Sequence, residues 1–165
     1  MASFEFLAII FTGIGLIVSI LYYTTVLQNA NKTREANLFN SIYQTLLSDK
    51  LFDLTWELWR KWEYTDYDDF MQKYGPETND DAYKRFHNYF SHLEGIGIYL
   101  KRGLIRPELI DDFMSADIVT HWEKFEHYIL EHRKRMNYPQ YYEHFEYMYK
   151  RVKSIRDSQH PELAH

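Results

Sequence analysis

The chain contains no cysteine in its 165 residues. That excludes a disulfide framework, a thiolate metal site and a thiol nucleophile, and agrees with a reducing compartment. Proline and glycine are scarce, at four and six, so no long flexible linker is expected. There are no internal repeats and no low-complexity segments. Basic charge is in deficit: the net charge of −5 argues against nucleic-acid binding, which ordinarily comes with a positive field. No Ser-His-Asp arrangement, phosphate-cradling glycine loop, dinucleotide fingerprint or His-Glu-x-x-His pair occurs. No lysine or arginine precedes Lys32, so the basic start of a cleaved signal peptide is missing too.

What is present begins with Phe6 to Leu27, 22 residues without a formal charge. A helix rises about 1.5 Å per residue, so about 20 apolar residues cross the ~30 Å hydrocarbon core of a bilayer. The run is longer than a signal-peptide core and exits through Tyr22, Tyr23, Thr24 and Thr25 without a small-x-small cleavage site, so an uncleaved anchor is expected. Tyr22 and Tyr23 suit the aromatic belt at a membrane interface. Lys32 and Arg34 follow the run, and the positive-inside rule then places the N-terminus outside and the C-terminal bulk in the cytoplasm.

The remaining residues suffice for one domain with its own core. Fifteen tyrosines, eleven phenylalanines and four tryptophans, most of them beyond the apolar run, supply large buried area per residue. Helical spacing carries on through Leu38, Phe39, Ile42, Tyr43, Leu46 and Leu47, so the anchor is expected to continue as a helix. Ser48-Asp49 marks a break or a cap before a second helix over 51–62. Trp56, Trp59 and Trp62 recur at three-residue steps, roughly along one face; core packing is the first expectation for them, and a partner contact the alternative.

An acidic stretch, Glu63 to Asp81, holds a short helix over 66–74 and then a Gly75-Pro76 loop. Its carboxylates lack the alternate spacing of a calcium loop, so a solvated face is expected. Asp80-Asp81 can cap a helix over 82–102, striped by Tyr83, Phe86, Tyr89, Phe90, Leu93, Ile96 and Leu100 and closed by Gly103. Pro107 opens a helix to Met114, another follows over 117–136, and a last aromatic helix spans 140–156. The fold class is therefore all-α: an N-terminal transmembrane helix followed by a small bundle of about five or six helices. By residue number the chain divides into an anchor (1–28), a juxtamembrane helical segment (29–62), a bundle (63–157) and a flexible tail (158–165).

Asn88-Tyr89-Phe90-x-x-Leu93-Glu94-x-Ile96-Gly97, Lys101-Arg102-Gly103-Leu104-Ile105, Leu109-Ile110 and Trp122-Glu123 together resemble an uncharacterised family of small bacterial and archaeal proteins. Its members pair one transmembrane helix with a helical domain of unknown function. The resemblance implies an architecture and brings no activity, cofactor or catalytic residue.

Three groups of residues are candidates for function. Glu94 lies between Leu93 and Ile96 on the best-patterned helix, with His92 beside it and His87 two turns back; buried, it must be paired or have its pKa raised. A structural carboxylate is the plainer expectation. Arg133, Lys134 and Arg135 could meet anionic headgroups, but such runs more often sit solvated at helix ends. Asp117/His121 and Glu123/His127 share helix faces at i, i+4, and weak polar pairing outweighs a metal site. No cofactor or metal is expected, and Gly95-Ile96-Gly97 is expected to permit close helix packing. The reading that follows is a membrane-anchored interaction module, an accessory or scaffold subunit whose partners are the bilayer and other membrane protein subunits or copies of itself. The alternative is a tethered enzyme or sensor using Glu94 with His87 or His92.

Overall fold

The computed structural model describes residues 2–159 and Pro161, and every regular element among them is helical. α1 runs unbroken from Ala2 to Leu46. No proline interrupts it, and the polar stretch after Leu27 contains no glycine either, so nothing ends the helix where the apolar run ends. By length and composition it can cross a membrane: its most apolar window has a mean hydropathy of 2.4 and none of that window is buried. Hydroxyls within it are satisfied locally. Thr12, Ser19, Thr24 and Thr25 each donate to the carbonyl four residues back, at 2.7–2.9 Å. These polar groups therefore do not demand water.

The described residues form two compact units, one up to Asn40 and one from Ser41 on. The second holds α2 (Asp49–Arg60), α3 (Tyr67–Tyr74), α4 (Asp80–Lys101), α5 (Pro107–Arg135) and α6 (Glu143–Gln159). α6 packs along both α4 and α5. The core is aromatic: Phe70, Phe86, Phe90, Phe125, Tyr128 and Phe145 are fully buried, with centroid separations such as 3.9 Å for Phe70–Tyr128 and 5.5 Å for Phe90–Phe145. Truncating any one of these rings would cost about 3–5 kcal/mol.

The helix ends refine several expectations. Ser48 breaks the chain between α1 and α2, but its hydroxyl donates back to Thr45 rather than capping α2. Asp66 is the N-cap of α3, accepting from the Asp69 amide at 2.9 Å. Asn79, not Asp80 or Asp81, caps α4 by accepting from the Ala82 amide at 3.1 Å; the two aspartates fall in the first turn instead, where the helix dipole favours them. α4 ends in a Schellman motif: Leu104 N–H bonds Tyr99 O and Gly103 N–H bonds Leu100 O, with Gly103 at φ +64.

α5 holds both helices expected over 107–136, and they meet at a kink at Met114, whose φ of −143 is not helical. It closes like α4, with Asn137 at φ +49 in the left-handed position. The last helix starts at Glu143 rather than at residue 140, because Tyr142 holds φ +53 and breaks the helical path before it. Of the expected flexible tail, Ser158 and Gln159 belong to α6; the rest, Pro161 apart, lies outside the described residues.

Candidate functional site

Glu94 sits on α4 facing the start of α6. Its carboxylate accepts from the His144 amide at 3.1 Å, the Phe145 amide at 2.8 Å and the His144 Nδ1–H at 2.7 Å. The first amides of a helix have no partner within it, and the helix N-terminus carries partial positive charge. Glu94 therefore caps α6 from another helix. Gly97, one turn on, explains the closeness: a Cβ there would overlap the His144 carbonyl. Gly95, by contrast, faces open space.

His87 and His92 do not join Glu94. His92 donates from Nδ1 to the Asn88 carbonyl of its own helix at 2.7 Å. His87 is hydrogen-bonded through Nδ1 to the Tyr142 hydroxyl at 2.8 Å, its Nε2 is buried without a partner, and burial, with a smaller contribution from His132, lowers its pKa to about 4. It belongs to a different cluster. Tyr128, Tyr141 and Tyr142 surround it and His132, and burial raises the pKa of all three phenols. This keeps the phenols and imidazoles neutral. Among the described residues no group of three His, Asp or Glu side chains is placed to hold a metal.

The basic run is largely occupied internally. Arg133 donates to the Tyr141 carbonyl at 2.8 Å and pairs with Glu146 at 2.6 Å. Arg135 bonds Asp68 through both terminal nitrogens, bonds Glu131 as well, and lies over the Tyr67 ring at 4.4 Å. Only Lys134 points its charge mainly outward, with a long contact to Glu131 at 3.5 Å.

The three tryptophans separate. Three-residue steps drift about 60° each around a helix, and α2 ends at Arg60, so Trp62 lies beyond it. Trp62 is buried, stacked on Tyr74 at 4.0 Å, with its indole N–H donated to Glu57. Trp56 and Trp59 remain 50% and 41% exposed, edge to face at 5.4 Å, and the Arg60 guanidinium lies over both rings at 4.8 and 4.2 Å. α2 buries Leu51, Leu54 and Leu58 on one face and exposes Phe52, Trp56 and Trp59 at i, i+4, i+7 on the opposite side.

That outward stripe borders a cleft of about 350 Å³ between α2 and α5, with Leu47 and Phe113 on its wall and the buried His121 deeper in. His121 Nδ1–H donates to the Asp117 carbonyl at 2.7 Å, and burial lowers its pKa. Behind α2, Lys124 donates to the carbonyls of Leu58 at 2.7 Å and Trp59 at 2.6 Å, fixing the end of the helix that carries both tryptophans. Sequence spacing flags the tryptophans but gives no sign of Lys124, whose partners are backbone carbonyls. Among the described residues, beyond α1's apolar run the large exposed hydrophobics are Tyr43, Leu47, Phe52, Trp56 and Trp59 around this cleft, and Tyr99, Met136 and Tyr138 elsewhere; Phe4 precedes the run.

No curated protein and no solved structure matches the chain. A family model described as a domain of unknown function, DUF4760, matches residues 9–152, taking in most of α1 and the bundle as far as Val152 in α6. The chain belongs to that uncharacterised family.

Proposed function

We propose that this protein is a single-pass, membrane-anchored interaction module, an accessory or scaffold subunit whose α2–α5 cleft receives a protein partner. The observation that carries the reading is the gathering of Leu47, Phe52, Trp56 and Trp59 on one surface, exposed, while the rest of the aromatic complement is largely packed inside. Soluble surfaces rarely leave such a patch open without an interaction to use it, and tryptophan and arginine are the residues that anchor interfaces most often. The anchor reading is supported by α1's exposed apolar length and by a family match that takes in most of it. Lys32 and Arg34 favour a cytoplasmic bundle.

Purification of the full chain in mild detergent tests the reading. A stoichiometric partner or a defined oligomer is expected, lost in the Trp56→Ala/Trp59→Ala variant while the melting temperature holds. A monodisperse wild-type monomer that brings nothing with it overturns the reading. Extraction by alkaline carbonate would overturn the anchor, and protease digestion of the bundle only from the outer side of sealed cells would reverse the sidedness.

A further inference from the structure

We infer that the occupant of the α2 face is a second copy of this chain, with the two α2 helices crossing antiparallel about a two-fold axis at Trp56. The inference rests on the interaction reading above and names its partner. It follows from the spacing of residues on one helix. At 100° and 1.5 Å per residue, Phe52 and Trp59 fall to one side of Trp56, and Asp53 and Arg60 to the other. Phe52 and Asp53 lie about 5–6 Å towards the N-terminus of Trp56, and Trp59 and Arg60 about as far towards the C-terminus.

A two-fold axis perpendicular to the helix reverses its direction but keeps each side facing the same side of the copy. Phe52 then meets the copy's Trp59, Asp53 meets the copy's Arg60, and the two Trp56 rings meet at the axis. Both the apolar and the charged halves match themselves in this one register. Among the described residues neither Asp53 nor Arg60 has an ion-pair partner within its own chain, and the Arg60 guanidinium, held over the Trp56 and Trp59 rings, keeps its charge for an acidic group of the copy. A parallel pairing would swap the sides, setting Asp53 against the copy's Phe52 and Arg60 against the copy's Trp59 with no charge matched, and an anionic bilayer surface would be met by Asp53 with the wrong sign. Self-association is also the case in which a membrane tether helps most, because confinement to two dimensions raises the effective concentration of every copy.

The absence of cysteine makes a direct test possible. Single-cysteine forms Asp53→Cys and Arg60→Cys of the full chain are mixed in detergent or nanodiscs and treated with a short bismaleimide. The inference expects a D53C–R60C cross-linked dimer in preference to D53C–D53C. By sedimentation, D53K and R60E each weaken the dimer about tenfold to thirtyfold at low salt, since each breaks two symmetric pairs. The double variant D53K/R60E returns to within about twofold of wild type. D53K should melt with wild type and the two forms carrying R60E only slightly below it, because both side chains lie on the exposed face of α2 and R60E gives up the Arg60 contact with Trp56 and Trp59.

A wild-type monomer under these conditions overturns the inference. So does cross-linking in which D53C pairs with itself as readily as with R60C, or failure of the double variant to recover. If the monomer still captures a different chain through Trp56 and Trp59, the interaction reading survives the loss of this one; if it captures nothing, both fall.

Discussion

Glu94 is the residue on which α4 and α6 meet. Glu94→Ala removes a charged acceptor from two backbone amides and an imidazole, and a loss of about 2–3 kcal/mol is expected by urea denaturation. Glu94→Gln keeps one acceptor oxygen and should lose about half as much. A melting curve unchanged by both would return Glu94 to the list of functional groups. Gly97→Ala should be worse for its size, about 2–4 kcal/mol, since the His144 backbone must move. Gly95→Ala, facing open space, should gain about 0.5–1 kcal/mol from helix propensity. The sequence marks Glu94 as unusual because a carboxylate interrupts the apolar stripe between Leu93 and Ile96. It does not mark the partner, 50 residues away, because a backbone amide has no sequence signature. Nor does spacing alone place His87 and His92 apart from Glu94, since neighbours on one helix need not face the same space.

At the scale of elements, apolar periodicity together with glycine and proline punctuation locates the helices, and the deviations occur where local backbone chemistry competes with it. Asn79 takes the cap position ahead of Asp80-Asp81, and Tyr142 in the left-handed region delays α6. Met114, where the sequence pattern ends one helix before the next begins, is the non-helical residue at which α5 kinks. The spacing of Trp56, Trp59 and Trp62 suggests a shared face only while the helix lasts, and α2 stops at Arg60. What holds that end is Lys124, whose ammonium bonds two terminal carbonyls. Lys124→Met keeps most of the stem and loses the charge, so a cost of about 1–3 kcal/mol is expected. Amide exchange should rise first around residues 58–62; uniform loss of protection across the bundle would contradict a local role.

The molecule as a whole should be sensitive to mild acid through its buried imidazoles. Burial lowers the pKa of His87, His121 and His132 from the ordinary value of 6.5, to about 4 for His87. Below pH 6.5 the unfolded chain binds protons that the folded one refuses, so stability falls as pH falls, towards pH 4 in the case of His87. Each imidazole contributes at most about 1.4 kcal/mol per pH unit, with the share of the partly exposed His87 reduced by solvent. Urea midpoints at pH 7.5, 6 and 5 should decline, and more gently in His121→Asn at those same values; a slope identical in the variant would remove His121 from the account. The placement of the four tryptophans has a practical corollary. Trp62 and Trp122 are sealed, at 2% and 1% exposure, whereas Trp56 and Trp59 stand half open. In the unassociated chain iodide should therefore quench about half of the emission. Covering the cleft would shrink that fraction and unfolding would enlarge it, so the protein's own fluorescence separates assembly from denaturation without any added dye.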